Sequence, residues 1–391
     1  MAELRQNTWT LGQWYDQDVA GNVSYTNQGT LWVWGYNQVG ELGRNNNVYL
    51  SSPTQLGSAS TWRELEFGTG SSSSCWGVIN SSKELWMVGA AEHGQLGQNT
   101  SGPSAQYISS PVQVAGTTWS KVVTGGNMTI SVKTDGTLWT WGYNDGGILG
   151  QNQAAAQARS SPIQVGSGTD RSNETGKIAV GGACAGAIKT DGTLWIWGAN
   201  TYGMLGQNTT TSYSSPRQLT GTTWNTISFA QNGSFGVKTD GTFWSWGLNS
   251  YGMLGLNDDA RRSSPTQVGT DTTWSGIVPF GGWYAMATIK TDGTMWAWGG
   301  GDMGSLAQNN LTHYSSPVQI PGTTWSKVVK GNDGTSQGLK TDGTLWTWGT
   351  NAAGKLGLNT PNNSNLSSPV QVPGSWADIF QSSCTVGIKN T

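Results

Sequence analysis

The sequence predicts an all-β fold, a seven-bladed β-propeller made of four-stranded antiparallel blades. The phrase KTDGTLWTWG at 133–142 returns with small changes along the chain, and so do Ser-Ser-Pro-x-Gln and a Thr-Trp pair before an apolar segment. The repeats are 49 to 56 residues long, and each holds four strand-like segments, which is typical of propeller blades. The first tryptophan of each Trp-x-Trp phrase falls at Trp32, Trp86, Trp139, Trp195, Trp244, Trp296 and Trp346.

Four strands are predicted in each repeat, in a fixed order. The first follows Thr-Trp, and the second ends at Thr-Asp-Gly, where aspartate and glycine supply the chemistry of a tight turn. The third carries Trp-x-Trp, whose alternation is that of a strand, and the fourth carries Pro-x-Gln-Val. A helical interpretation fails because the apolar runs are short and glycine interrupts each one.

The tryptophans and cysteines recur at equivalent positions. Trp139 and Trp141 are expected to share one face of their strand, and we interpret such pairs as packing between blades; an aromatic platform for a ligand is the alternative. Cys75, Cys184 and Cys384 each lie five residues before the end of the equivalent strand. Equivalent positions in separate blades do not face one another, so buried free thiols are predicted rather than disulfides.

The run Trp141-Gly142-x-Asn144-x-x-Gly147-x-Leu149-Gly150 resembles the repeat of the regulator of chromosome condensation family. The likeness extends over roughly residues 29–391, and it implies a seven-bladed propeller. The sequence departs from the pattern at Leu306-Ala307, where glycine is expected. The founding member of that family works on chromatin and on a small GTPase, and this chain lacks the basic tail that would argue for the same activity.

The two ends of the chain predict how the ring closes. Residues 376–389 form half a repeat that stops where Thr-Asp-Gly would come, and the phrase at Trp32 has no clean half before it. We therefore expect the C-terminal half-repeat to complete the first blade beside residues 29–57, which removes a free sheet edge. The propeller then spans 26–391, and residues 1–25 form an N-terminal attachment arm with Trp9, Trp14 and Tyr15. The alternative is that Trp14 begins a degenerate strand.

Composition limits the partners and the compartment. Charged residues make up 11% of the chain and the net charge is −2, which is too little basic charge for binding to phosphate backbones. No nucleic-acid partner is therefore expected. The sequence predicts no signal peptide and no membrane-spanning run, so membrane insertion is not expected either. The expected location is a virion or extracellular surface without a classical signal peptide, with the cytoplasm as the alternative.

Few residues have the spacing that catalysis requires. The two histidines, His93 and His313, lie in loops of different repeats and form no predicted dyad. The aspartates of the Thr-Asp-Gly turns are explained by turn formation. Asn257-Asp258-Asp259 is a weak candidate for a divalent cation. No catalytic residue, cofactor or metal ligand is predicted.

A recognition surface is predicted on one rim of the ring. The loop before Ser-Ser-Pro differs in every repeat, and four consecutive repeats carry arginine or tyrosine just before that motif. These types dominate the residues that contribute most to binding at interfaces, and varied loops on a rigid scaffold commonly carry recognition. Neutral drift of loops that bind nothing is the alternative. The predicted binding residues are Arg159, Tyr213, Arg262 and Tyr314.

These observations predict a non-enzymatic binding or structural scaffold. It would recognise a protein or glycan through its rim loops and attach to another assembly subunit through its N-terminal arm. Weak similarity to propeller-bearing phage proteins favours a virion-surface or tail-associated protein. The alternatives are a lyase or glycoside hydrolase with a site in the central channel, and a protein inhibitor or adaptor.

Overall fold

The computed structural model describes residues 29–64, 75–102, 107–125, 127–153, 157–174, 176–230, 232–274, 280–281, 284–331, 333–360, 364–381 and 383–390. The predicted N-terminal arm, with Trp9, Trp14 and Tyr15, lies outside these residues. Within them, the chain forms seven four-stranded antiparallel blades, as predicted. No helix in this part of the chain is both long enough and apolar enough to cross a membrane.

The strands follow one another blade by blade. Blade I begins with β1 (Gly29–Gly35) and β2 (Leu50–Gln55). Blade II contains β3 (Trp62–Glu64), β4 (Cys75–Asn80), β5 (Leu85–Ala90) and β6 (Tyr107–Val114). Blade III contains β7 (Trp119–Gly125), β8 (Met128–Lys133), β9 (Leu138–Gly142) and β10 (Arg159–Gln164). Blade IV contains β11 (Ile178–Val180), β12 (Cys184–Ile188), β13 (Leu194–Gly198) and β14 (Tyr213–Gln218).

The second half of the ring has the same order. Blade V contains β15 (Trp224–Phe229), β16 (Gly233–Lys238), β17 (Phe243–Gly247) and β18 (Arg262–Gln267). Blade VI contains β19 (Phe280–Gly281), β20 (Ala285–Ile289), β21 (Met295–Gly299) and β22 (Tyr314–Ile320). Blade VII contains β23 (Trp325–Lys330), β24 (Ser336–Lys340), β25 (Leu345–Gly349) and β26 (Leu366–Val372). The chain then returns to blade I with β27 (Trp376–Gln381) and β28 (Cys384–Asn390).

The blades surround an axis, with the first strand of each blade innermost. First strands of neighbouring blades contact one another; for example, β7 contacts β11 and β23 contacts β27. The fourth strands lie at the perimeter. Because each blade is an antiparallel meander, its Thr-Asp-Gly turn and its link to the next blade lie at one end, which we call the turn face. The loops between third and fourth strands lie at the opposite end, which we call the loop face.

The ring closes as predicted, through the C-terminal half-repeat. β28 pairs with β1 along its whole length, from Gly29 opposite Asn390 to Gly35 opposite Cys384. β27 and β2 flank this pair, so blade I joins the two ends of the described chain. All three cysteines are free and buried, as predicted. Burial raises the pKa of the Cys75 and Cys184 thiols to about 12, which makes them unreactive near neutral pH.

One tryptophan hydrogen bond recurs between every pair of neighbouring blades. The second indole of Trp-x-Trp is buried and donates to a loop-face carbonyl oxygen of the preceding blade. Trp197 donates to Ile148 at 2.7 Å, and Trp298 donates to Met253 at 2.8 Å. Large apolar contact and a satisfied indole N–H together hold each blade to the next. The other donors are Trp34, Trp141, Trp246 and Trp348, with Trp76 in blade II.

Blade II keeps this bond although Val88 occupies the second Trp-x-Trp position. Trp76 on β4 lies directly opposite Val88 on β5, and its indole donates to the carbonyl oxygen of Glu41 at 2.5 Å. Both side chains are buried in one apolar cluster. The tryptophan has therefore moved to the neighbouring strand and serves the same interface.

Candidate binding surface

A buried asparagine shapes the loops of the loop face. Asn200 follows Trp-Gly-x, and its carboxamide oxygen accepts from the Leu205 amide at 2.8 Å. Its nitrogen donates to the carbonyl oxygens of Thr209 and Thr211 at 2.8 and 3.0 Å. One satisfied carboxamide thus holds both ends of the loop, because an unpaired amide at this depth would be costly. In other blades, the asparagines that accept from the equivalent leucine amide of their own loop are Asn37, Asn144, Asn249 and Asn351.

The same loops also fix each blade to the next one. The glycine before x-Leu-Gly contacts the first serine of the next blade's Ser-Ser-Pro; a Cβ on Gly252 would lie 2.3 Å from the Ser315 Cα. Five residues after this glycine, an asparagine in the left-handed region donates its backbone amide to the serine carbonyl, as Asn257 does to Ser315 at 2.8 Å. All seven blade boundaries have this bond, including Asn359 to Ser51 across the closure. The loop face is therefore a rigid platform.

The four predicted rim residues occupy equivalent positions. Each begins the fourth strand of its blade and lies opposite the glycine that ends the third strand. The two arginines are half-buried and contact their own loops. The Arg159 guanidinium donates to Gln153 Oε1 at 3.1 Å, and Arg262 forms a 2.6 Å ion pair with Asp258.

The two rim tyrosines are also half-buried. Tyr213 packs against the core of its blade, and the Arg217 guanidinium lies 4.1 Å from the centre of its ring. Tyr314 packs against the buried apolar cluster between blades VI and VII, and its hydroxyl accepts from the Asn310 carboxamide at 3.1 Å. The structure therefore places all four predicted residues at one level of the ring, with each of them held by its own blade.

Two exposed residues in blades V and VI carry backbone strain that the sequence did not reveal. Tyr251 and Met303 occupy the position before the contact glycine and both have φ of 58°. This region costs about 1–2 kcal/mol for a residue with a side chain. Gly146 occupies the same position in blade III, and Ala353, with φ of 57°, occupies it in blade VII. Tyr251 is 45% exposed and Met303 53%. Strain that persists at exposed aromatic and apolar side chains is typical of functional surfaces.

Aromatic contacts surround this position. The Tyr251 ring lies 5.0 Å from that of Tyr284 and 4.7 Å from the His313 imidazole. At the corresponding place between blades II and III, His93 lies 4.6 Å from Tyr143. Both histidines thus contact tyrosines on the loop face, in separate pairs of blades.

The acidic loop proposed for a cation has other partners. Asp258 accepts from Arg262, from the Asn249 carboxamide and from the Ala260 amide. Burial raises the pKa of this carboxyl, but the hydrogen bonds from Arg262, Ala260 and Asn249 and the charge of Arg262 together outweigh that effect, so the pKa is lowered. Asn257 takes part in the contact with the next blade. Among the described residues, no three His, Cys, Asp or Glu side chains lie together in a way that could hold a metal ion.

A family model described as the RCC1-like domain matches residues 31–388. The chain belongs to this family. It is 25% identical over 309 residues to the ultraviolet-B receptor UVR8 of Arabidopsis thaliana, which covers 76% of this chain and 67% of the receptor. It is 27% identical over 328 residues to the E3 ubiquitin-protein ligase HERC2 of Homo sapiens, which covers 83% of this chain and 6% of the ligase. This chain therefore corresponds to a small part of HERC2.

A solved structure has the same architecture as this RCC1-like domain. Prp20p of Saccharomyces cerevisiae superposes with a TM-score of 0.75 at 16% identity, and the match covers 94% of this chain and 93% of Prp20p. At that identity, the likeness establishes the fold.

The turn face of this RCC1-like domain carries a repeated motif of lysine and tryptophan. The lysine of Lys-Thr-Asp-Gly lies over the first indole of Trp-x-Trp and, in most blades, also over the tryptophan that begins the first strand. The Lys238 ammonium lies 3.9 Å from the centre of the Trp244 ring and 5.1 Å from that of Trp224. Such cation–π contacts stabilise the blade, so we interpret these lysines and indoles as structural groups and not as a ligand site. The other lysines of this kind are Lys133, Lys189, Lys290, Lys340 and Lys389.

The turn aspartates are held by their own turns, as the sequence predicts. Asp240 Oδ1 accepts from the hydroxyl and the amide of Thr242, at 2.6 and 3.0 Å. The same hydroxyl accepts from the Trp244 indole at 2.8 Å. The hydrogen bond from the Thr242 hydroxyl, followed by that from its amide, lowers the pKa of Asp240. These carboxylates are therefore structural.

Blade IV replaces the tryptophan of its first strand with an arginine. Arg171 pairs with Lys189 in the same register that Trp274 has with Lys290. Asp170 compensates for the second positive charge, because its carboxylate lies 2.8 Å from the Lys189 ammonium and 3.6 Å from Arg171. The missing tryptophan of this repeat therefore has a polar substitute, which the sequence pattern did not identify.

Proposed function

We propose that this RCC1-like domain is a non-enzymatic scaffold that binds a protein partner through its loop face. The observation that carries the proposal is the pair Tyr251 and Met303, which are exposed, strained and at equivalent positions on consecutive blades. Tyrosine and methionine are enriched at protein interfaces. A platform fixed at every blade boundary presents these side chains on an ordered backbone, which lowers the cost of ordering on binding.

Two further observations support a protein as the partner. The rim residues Arg159, Tyr213, Arg262 and Tyr314 lie at one level beside the same loops, and we propose that they border the binding surface. The solved structure of Prp20p is described with its binding to Gsp1p and histones, so a propeller of this architecture binds proteins. A glycan on a surface is the alternative partner.

We propose that the histidines serve this surface and not catalysis. His93 and His313 each contact tyrosine rings and belong to separate blade pairs. A central-channel enzyme would need converging acid and base groups. At the inner strands of blades VII and I, the Lys327 ammonium is instead paired with the Asp378 carboxylate at 2.6 Å.

Attachment to a virion or tail through the N-terminal arm with Trp9, Trp14 and Tyr15 also remains part of the proposal. It rests on the sequence alone. Co-sedimentation of the full chain with phage particles, compared with a chain that lacks residues 2–20, tests it; equal sedimentation of both chains would contradict a role for the arm.

The test of the loop face uses the immobilised full chain and three variants. Tyr251→Gly with Met303→Gly removes both side chains, and glycine accepts this backbone without strain, so the fold should not be weakened. Alanine at all four rim residues tests the border. Val370→Ser changes an exposed apolar residue on β26, away from both sets, and is the control.

Proteins retained from an extract of the source organism would be identified by mass spectrometry. We expect at least one protein to be retained by the wild type and the control and to fall about tenfold or more with the double glycine variant, the loss expected for removing interface anchors. If every retained protein binds the double variant as well as the wild type, the loop face is not the binding surface. Unchanged binding by the variant with alanine at all four rim residues would show that these residues are not part of the binding surface.

A further inference from the structure

A pocket of about 390 Å³ opens at the perimeter between blades V and VI, away from the residues assigned to protein binding. Leu256 and Asn257 line it from the loop of blade V, and Trp274, Lys290 and Trp296 line it from blade VI. Its volume lies in the range of small-molecule sites. The pocket therefore has the size of a site for a ligand of one or two rings.

The first departure from the repeat that opens the pocket is Leu256. Four other blades have glutamine here, and its carboxamide donates to the carbonyl oxygen of the Pro-x-Gln glutamine in the fourth strand, as Gln207 does to Gln218 at 3.0 Å. The equivalent bonds are Gln98 to Gln113, Gln151 to Gln164 and Gln308 to Gln319. Leu256 cannot make this bond to Gln267, so the gap between loop and strand stays open.

The second departure is the link between the two blades. It is one residue longer from Gln267 to Trp274 than the corresponding links that end at Trp119, Trp224 and Trp325. Asp271 lies in this link, lines the pocket and forms an ion pair with Lys290. The Trp119 and Trp224 indoles donate to carbonyl oxygens of their shorter links, whereas the buried Trp274 indole N–H, like that of Trp325, has no hydrogen-bond partner among the described residues.

The polar groups that line the pocket are neutral as a set. Lys290 and Asp271 neutralise each other, and hydrogen bonds from Lys290 and Thr273 lower the pKa of Asp271 to about 2, so the pair persists at neutral pH. The Asn257 carboxamide makes no hydrogen bond within the described chain, whereas the equivalent Asn309 carboxamide accepts from a serine hydroxyl at 3.3 Å. Asn257 therefore has both a donor and an acceptor to offer.

We propose that this pocket binds a neutral hexopyranoside. The Lys290 ammonium lies over one side of the Trp296 ring, 4.1 Å from its centre, so the other side is left for the face of C–H bonds that a pyranose ring presents. The hydroxyl groups of the sugar donate and accept, which suits Asn257 and Asp271. A charged ligand would break the Lys290–Asp271 pair and leave one ion uncompensated. The site uses part of the blade V loop, but its lining includes neither Tyr251 and Met303 nor the four rim residues, so it can exist whether or not a protein binds there.

The test uses saturation-transfer difference NMR on the full chain with the methyl pyranosides of glucose, galactose, mannose and N-acetylglucosamine. Sorbitol, which has hydroxyls but no ring, is the reference compound. Leu256→Gln installs the residue that closes the other blades, and Leu358→Gln makes the same substitution at the equivalent position of blade VII. Asn257→Gly removes the carboxamide and suits the φ of 60° at that residue.

We expect at least one pyranoside to give a signal above that of sorbitol. The signal should fall about tenfold or more with Leu256→Gln and with Asn257→Gly, and it should be unchanged with Leu358→Gln. Absence of any pyranoside signal from the wild type would overturn the proposal, and so would a signal that survives Leu256→Gln in a folded variant. Equal loss with Leu358→Gln would place the ligand elsewhere and would overturn it as well.

Discussion

The indole N–H of Trp34 donates a 2.9 Å hydrogen bond to the carbonyl oxygen of Lys355, which joins blades I and VII across 321 positions of the chain. The same bond joins every other pair of neighbouring blades. The boundary that brings the two ends of the ring together is therefore built like the other six. The proposed binding surface therefore lies on a scaffold in which the closing boundary has the same hydrogen bond as every other boundary.

In blade II the interface tryptophan lies on β4 as Trp76, opposite Val88 on β5, so substitutions at these two positions should have strongly coupled effects on stability. Trp76→Thr should destabilise the fold by about 3–5 kcal/mol, as large-to-small core changes do. Val88→Trp alone should cost about 1–3 kcal/mol through overpacking. The double variant restores the usual repeat, so its loss should be at least about 2 kcal/mol smaller than the sum. Chemical denaturation of all four proteins measures this, and simple additivity would show that the two positions are not interchangeable.

The contact between Gly252 and Ser315 predicts a contrast between two glycines of similar backbone conformation. Gly252 has φ of 70° and Gly57 has φ of 67°, but a Cβ on Gly57 would meet no atom within 4 Å. Gly57→Ala should cost only the backbone strain of about 1–2 kcal/mol. Gly252→Ala should cost about 1–3 kcal/mol more because the next blade must move. Equal losses in the free energy of unfolding would show that this contact does not fix the blades.

The lysine–tryptophan motif predicts a stabilising role for Lys238. Lys238→Gln should lower the free energy of unfolding by about 1 kcal/mol, because the charge between Trp224 and Trp244 is lost. Arg44→Gln removes the same charge from an exposed residue and should change stability by less than about 0.5 kcal/mol. Urea denaturation of both variants checks this. A larger loss with Arg44→Gln would contradict the role given to the motif.

Lys330 predicts a pH dependence of stability. It is 3% exposed, and within the described part of the chain its ammonium donates to two neutral groups, the Ser305 carbonyl at 2.6 Å and the Ser336 hydroxyl at 2.7 Å. Burial lowers its pKa to about 7, from 10.5. Between these values the unfolded chain binds more protons than the folded one, so stability rises with pH by at most about 1.4 kcal/mol per unit.

The measurement is the free energy of unfolding at pH 7, 8 and 9 for the wild type and Lys330→Met. The variant lacks the titrating group and should be the more stable protein at pH 7. Its advantage should shrink as the pH rises toward 9 and the wild-type lysine loses its penalty. An advantage that stays constant over this interval would show that Lys330 remains charged in the folded protein.

The fold could be predicted because its markers are local and repeated. Thr-Asp-Gly fixes a turn and Trp-x-Trp fixes a strand, and both depend only on neighbouring residues. The half-repeat at residues 376–389 even predicted the closure. What the sequence could not show depends on contacts across blades. Trp76 serves an interface from the neighbouring strand, Arg171 replaces a tryptophan in register, and the Tyr251 ring contacts Tyr284 and His313 of the next blade.

The site was predictable only in part, for the same reason. Spacing placed Arg159, Tyr213, Arg262 and Tyr314 at one level, which the register confirms, and their binding role stays a prediction. Spacing could not reveal that each is held by its own blade. Nor could spacing reveal the pocket beside Leu256. That pocket is open because blade V lacks the bond from the loop glutamine to the fourth strand that four other blades make.

Hydrogen exchange at β1 tests the central claim, a ring sealed by its own C-terminal strands, most directly. The full chain would be compared with a chain that ends at Pro373 and so lacks β27 and β28. We expect the amides of residues 29–35 to exchange slowly in the full chain and to lose that protection in the shortened one, because β28 supplies their pairing. Unchanged protection of these amides in the shortened chain would contradict the closure and the rigid platform built on it.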